Sequence, residues 1–210
     1  MREKFLEQLE KVNVNVQELL ARDTEAVEKL VEDIKTGRVE LLKNVETFED
    51  ESHQLNRTAE HAVMMLLLRQ QPVADDLHAL TSSLAIFRNL VRIAIQATEC
   101  HKLWIQLPKE DRKYPLLEKQ GGLVVEMAKT LQIGVETRSV DVLRKITEQD
   151  DLVDEVFLEV KEKIVTDIQE KTINASVAVD LLLMGKYFEK MGDHLSSIAR
   201  HQLRLIERKW

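Results

Sequence analysis

Glycine, proline and aromatic residues are scarce in this 210-residue chain, which has 6 Gly, 3 Pro, 5 Phe, 2 Tyr and 2 Trp. A β-sandwich or barrel of this length spends more Gly and Pro on its turns. A dinucleotide- or nucleotide-binding enzyme needs a glycine-rich phosphate loop. The only adjacent glycines are Gly121 and Gly122, and neither G-x-G-x-x-G nor G-x-x-x-x-G-K-[ST] occurs. Cys100 is the single cysteine, which excludes an intrachain disulfide and a C-x-x-C metal site and fits a reducing compartment. The longest apolar run, Ala62 to Leu68, is far short of the roughly 20 residues needed to span a bilayer. Residues Met1 to Glu7 are charged and amphipathic, unlike a signal peptide. A cytoplasmic location is therefore expected, with the sequons at Asn56 and Asn174 unglycosylated. With 30 Lys+Arg against 37 Asp+Glu the formal net charge is −7, so there is no electrostatic reason to expect nucleic acid.

What is abundant is helical periodicity. Apolar residues recur at three- and four-residue spacing nearly throughout. A first stripe runs through Leu9, Val12, Val16, Leu19, Val27, Leu30 and Ile34 and stops at Thr36-Gly37. A second runs from Leu41 and Val45 through Phe48, Ser52, Leu55 and Ala59 to Leu66, ending near Gln71-Pro72. Pro72 is placed at the start of the third helix, which carries Leu77, Leu80, Leu84, Ile86, Phe87, Leu90, Ile93 and Ala97. Residues 109–115 read as a connector between two halves. The fourth stripe comprises Leu117, Val124, Met127, Leu131 and Val135, with a break near Arg138-Ser139. The fifth runs from Val142 through Ile146, Val153, Phe157, Val160 and Ile164 to Ile168, and the sixth from Val177 to Leu205. The expected fold is all-α: six long antiparallel helices in two three-helix repeats, residues 1–108 and 109–210.

The two halves align. An offset of 98 lays Ile86, Leu90, Ile93 and Ala97 over Met184, Phe188, Met191 and Leu195. One residue beyond those seam positions the copies diverge: the second has Glu189 and Asp193, the first Val91 and Ile95. Glu189 and Asp193 are four apart and share a helix face, which the periodicity turns off the seam toward solvent. Like charges at that spacing repel, so Lys186, Lys190, solvent or a cation must compensate. The preceding helix carries a second pair, Asp150 and Asp154. Antiparallel packing of the two helices brings four carboxylates together, a hard-oxygen set for a di- or trivalent cation. The alternative is that these are solvated faces of a chain with 32% charged residues.

The ordered motifs resemble a known family. Gln71 to Leu77 resembles the P-x-A-x-D-L-R segment of PhoU proteins, Asp150 to Glu155 their D-x-x-V-D segment, and Tyr187 to His194 their L-E-R-I-G-D motif. The likeness covers the chain from Glu3 to about Gln202, duplication included. It implies two three-helix bundles and a cytoplasmic, non-enzymatic regulator of phosphate uptake. The partners it implies are the ATPase subunit of the phosphate ABC transporter and a phosphate sensor kinase, with membrane association only through those partners, and a homodimer. It also implies metal at the E/D-x-x-x-D motifs, here Asp150, Asp154, Glu189 and Asp193, with iron, manganese, magnesium, calcium or, less specifically, zinc as candidates.

The first repeat departs from that pattern. Val91 and Ile95 replace the third-helix carboxylates, Glu49 and His53 stand at the matching second-helix positions, and His78 stands where the family usually has Arg. At most one metal site, in the second half, is therefore expected. Val91 and Ile95 make the third helix apolar nearly all round, so it is either buried, with these residues packed on Met64, Met65 and other residues of the second helix, or it presents an apolar patch that docks a second copy or a partner. Met64, Met65 and the leucines after them read as core, and Cys100 as a buried structural thiol. His194 and His201, seven apart, read as solvated. Two other functions remain open: a carboxylate-bridged metalloenzyme, disfavoured because no paired E-x-x-H motif exists, and a metal-free helical adaptor.

Overall fold

The structure is a computed structural model that describes residues 2–39, 45–70, 72 and 74–208. Among these there are six α-helices and no strand: α1 (Arg2–Thr36), α2 (Val45–Gln70), α3 (Ala74–Gln106), α4 (Pro115–Thr137), α5 (Val140–Gln169) and α6 (Ala175–Glu207). A short 3-10 turn, Lys109–Asp111, forms the connector between α3 and α4. The predicted start of the second helix at Leu41 and the turn residue Gln71 lie outside the described residues. Pro72 precedes α3 rather than opening it.

Local chemistry sets the breaks. Gly37 ends α1 with φ +70°, a conformation glycine reaches without a steric penalty. Pro115 opens α4 at N1, where its missing N–H costs nothing. Ser139 and Asn174 cap α5 and α6 by accepting from the backbone N–H of Val142 and Val177.

Sequential helices pack antiparallel, but the two repeats are not separate bundles. α3 lies along α6 and α1 along α4, so these four form a shared centre, with α2 and α5 on its outside. Both cross-repeat pairs are antiparallel. Asn89 meets His194, the Cys100 thiol reaches the Met184 carbonyl, and Lys129 pairs with Glu28. The close α1–α4–α6 approach needs Gly121, where an added Cβ would lie 2.6 Å from a Val31 methyl and 3.0 Å from the Phe188 ring. The core is one apolar cluster running through both repeats.

Most of the predicted stripes are core, with instructive exceptions. Met64 and Leu68 are exposed, at 47% and 71%, and so are Leu77 and Ile168. α2 is an outer helix, so only the Ala59, Val63 and Leu66 edge is covered. Val91 and Ile95 are half-buried, neither sealed in the core nor fully open.

Asp23 is the outlier of the first repeat. It is 2% exposed and neither carboxylate oxygen has a hydrogen-bond partner. Burial pushes its carboxyl well above the usual carboxylate range, with Arg22 opposing only in part. The folded protein thus keeps a proton that the unfolded chain releases above pH ~4. The stability of that protonated form is complete below pH ~4 and is lost as pH rises toward the folded value. Asp23→Asn is therefore expected to raise stability by ~1–3 kcal/mol at pH 7.5 and by almost nothing at pH 4. Urea denaturation of both proteins at the two pH values checks this; an equal gain at both would mean that ionisation is not the cause.

Candidate functional site

α5 and α6 bring the four predicted carboxylates to one junction. Gly192 makes the close approach there, since a Cβ at this position would lie 2.9 Å from Asp150 Oδ1. Asp150 is half-buried, Glu189 has a side chain only 13% exposed, and Asp193 stands at 45%. Glu189 therefore does not face solvent as the periodicity suggests. It lies off the α6 seam, yet its carboxylate is paired with Lys186 and Lys190 and acts on Asp154 of α5.

The carboxylates sense one another. Asp150 is pushed up to about 6, first by burial and then by Asp193 and Asp154, while a hydrogen bond from Ser196 and the charge of Arg200 pull it down. Asp154, at the exposed rim, is also raised, by partial withdrawal from water and by Glu189 and Asp193. Asp150 Oδ1 is buried without a hydrogen-bond partner among the described residues, while Glu189 Oε2, also buried, has only the Lys190 ammonium at 3.3 Å.

Lysines supply the compensating charge. Lys186 pairs with Glu189 at 2.7 Å and also stands 5.1 Å from the Phe157 ring centroid. Lys190 pairs with both Glu189 and Asp193, and those hydrogen bonds hold its ammonium above the ordinary lysine range. Among the described residues no three acidic, histidine or cysteine side chains are gathered into a ready-made metal-ligand set. The donor chemistry nonetheless suits a hard cation. Every donor is a carboxylate oxygen, the proton affinities of Asp150 and Asp154 are raised in part by the neighbouring carboxylates, and Asp150 Oδ1 lacks a partner.

The matching place in the first repeat is built differently. Glu49 is taken up by Lys102 at 3.6 Å and lies 3.9 Å from the His53 ring; the carboxylate across from it, Glu99 of α3, is held by the same lysine at 2.9 Å. His194 and His201 are half-buried, not solvated, because α3 covers their side of α6. His194 Nδ1 meets Asn89 Oδ1 at 2.8 Å, and burial lowers both imidazoles from their usual value. Cys100 is buried as expected, its thiol raised by burial. Ser196, which hydrogen-bonds Asp150, and Gly192, which admits it, complete the carboxylate site beyond the four spaced residues. Gly192 was readable, since it lies inside the Glu189–Asp193 motif at the face where α5 must approach.

An all-helical chain of two pseudo-repeats with a carboxylate junction in the second is what the fold and site define. The PhoU domain model matches residues 16–102 and again 117–201, and the chain belongs to the PhoU family. It is 22% identical over 198 residues to the phosphate-specific transport system accessory protein PhoU homolog 1 of Thermotoga maritima, covering 93% of this chain and 85% of the relative. To PhoU homolog 1 of Mycobacterium leprae it is 26% identical over 206 residues, covering 95% and 91%. The crystal structure of PhoU from Pseudomonas aeruginosa superposes with a TM-score of 0.89 at 22% identity over 98% of this chain and all of that one. No described helix is long and apolar enough to cross a membrane.

Proposed function

We propose that this protein is a non-enzymatic cytoplasmic regulator of phosphate uptake and phosphate-starvation signalling. It acts by binding the ATPase subunit of the phosphate ABC transporter and a phosphate sensor kinase, and it works as a homodimer. The observation that carries this is the full-length match to proteins named as accessory to phosphate-specific transport. The all-helical build, without a phosphate loop or a nucleophile on a strand–turn–helix, supports regulation by contact rather than by chemistry.

Within that role, Asp150, Asp154, Glu189 and Asp193 hold one metal ion, with iron, manganese, magnesium, calcium and zinc as the candidates. The ion supplies positive charge to the α5–α6 junction, in place of Lys186 and Lys190. The first repeat holds none, since Val91 and Ile95 offer no oxygen.

Two measurements test the regulatory reading. In a strain lacking this gene and any paralogue, a phosphate-starvation reporter is expected to stay on in high phosphate, by tenfold or more over the parent. Affinity capture of the tagged protein is expected to retain the transporter ATPase or the sensor kinase. Normal repression in the double deletion would overturn the reading.

A further inference from the structure

The two ends of the central four-helix layer are related by the internal repeat, and they are finished differently. At one end, where α1 and α3 finish, Trp104 is fully buried and its indole N–H donates to the Arg38 carbonyl at 2.7 Å. The offset of 98 that aligns α3 with α6 carries Trp104 onto Gln202. The other end, where α4 and α6 finish, therefore has an amide where its counterpart has an indole. The backbone corresponds as well: α1 ends in Gly37 at φ +70° and α4 ends in Arg138 at φ +54°, both left-handed caps.

That end holds a pocket of about 510 Å³ between the start of α1, the start of α3 and the ends of α4 and α6. That volume is within the ~300–1,000 Å³ range of small-molecule sites. Gln202 lines it, is 9% exposed, and makes no side-chain hydrogen bond among the described residues. Ser83, 2% exposed, also lines it; its hydroxyl donates to the Ala79 carbonyl and keeps its acceptor capacity. Leu9, Val135, Leu205 and Ile206 provide apolar wall. The charged lining is unequal. Glu10, Asp75, Asp76 and Glu136 outnumber Arg138 and Arg208, and Arg208 lies 3.9 Å from Asp75.

The Gln202 amide has no protein partner among the described residues and is not sealed from the pocket, so it offers one donor group and one acceptor to whatever fills the space. Apolar walls and the geometry of the paired end call for a flat ring. The carboxylate excess selects a positive charge at the mouth and disfavours anions, phosphate included.

We propose that this pocket is a binding site for a small aromatic amine, whose ring takes the place that Trp104 fills at the opposite end. The ring rests on the Leu9, Val135 and Leu205 wall, a ring N–H or heteroatom bonds the Gln202 amide, and the ammonium faces Glu10 and Glu136. The site is separate from the carboxylate junction and does not depend on phosphate regulation.

Tryptamine is the probe, titrated calorimetrically into the full-length protein, with indole-3-propionate as the ring-matched anion. Saturable one-to-one binding of tryptamine is expected, at least tenfold tighter than that of the anion. Gln202→Trp fills the pocket from within and is expected to abolish binding without lowering the melting temperature. Should that variant fail to fold, the surface pair Glu10→Gln with Glu136→Gln gives the second reading, an expected tenfold or greater weakening for tryptamine with little change for the anion. Absence of saturable tryptamine binding, equal binding of the two probes, or a folded Gln202→Trp protein that binds as wild type would each overturn the assignment.

Discussion

Trp104→Ala is expected to destabilise the protein by ~3–5 kcal/mol, the largest loss from any single truncation in the shared centre. The side chain is fully buried where the ends of α1 and α3 meet, beside Leu107 and near the α4 start at Tyr114. Truncation removes the transfer energy of the ring, opens a cavity that rigid helix ends cannot close, and strips the Arg38 carbonyl of its donor. That carbonyl is next to the Gly37 cap, so the loss falls where α1 turns toward α2. Gln202→Ala at the paired end is expected to cost under ~1.5 kcal/mol, because no bond is broken there and the pocket already exists. Urea denaturation of both variants with unchanged m-values reads the contrast. A Trp104→Ala cost no larger than that of Gln202→Ala would mean that the two ends are sealed alike and that the indole is not what closes the first.

That contrast also shows how far the sequence could be read. Periodicity locates the apolar side of each helix, and it placed Leu30, Leu90, Val124, Val153 and Phe188 in the core correctly. It does not say whether a second layer covers the opposite side. α2 and α5 turned out to be outer helices, so Met64, Leu68 and Ile168 stay exposed although they extend apolar stripes. α3 has neighbours on several sides, which is why Val91 and Ile95 are half-buried off its main seam. Asp23 was legible by position but not by type. It follows Leu19 by four and precedes Val27 by four, a core register, yet carboxylates are almost never fully buried without a partner. The convergence of Asp150, Asp154, Glu189 and Asp193 followed from two i,i+4 pairs on an antiparallel hairpin. Their burial did not, because it depends on Gly192 admitting α5 and comes with the pairing of Glu189 to Lys186 and Lys190. The Gln202 pocket required carrying the repeat alignment two helical turns beyond the seam, to a position where an unlike residue matters more than a like one.

Glu189→Ala combined with Asp193→Ala is expected to weaken binding of a hard divalent cation such as Mn²⁺ by at least ~100-fold, since it removes half of the proposed oxygen donors; supporting residues alone are typically worth 10–100-fold. In the wild-type protein the cation competes with Lys186 and Lys190, which pair with the same oxygens. Lys186→Met with Lys190→Met is therefore expected to act in the opposite direction and tighten Mn²⁺ binding by tenfold or more, because Glu189 and Asp193 then lose the ammonium groups that pair with them. A salt bridge that is merely structural predicts the reverse, since stripping the lysines leaves like charges facing one another and destabilises the junction with or without metal. The two accounts separate in a thermal melt. At metal concentrations near 100 times Kd, linkage stabilises the folded state by ~2.7 kcal/mol, a shift that the lysine variant should show at lower Mn²⁺ than wild type and the carboxylate variant should not show at all. Glu49→Gln with His53→Ala serves as the internal control in the first repeat. It is expected to leave the metal-induced shift unchanged, because Glu49 is engaged by Lys102 and faces no second carboxylate pair. Equal metal content in wild type and the Glu189, Asp193 variant, measured after purification without chelator, would remove the metal from this junction and leave lysine pairing as its whole electrostatic design.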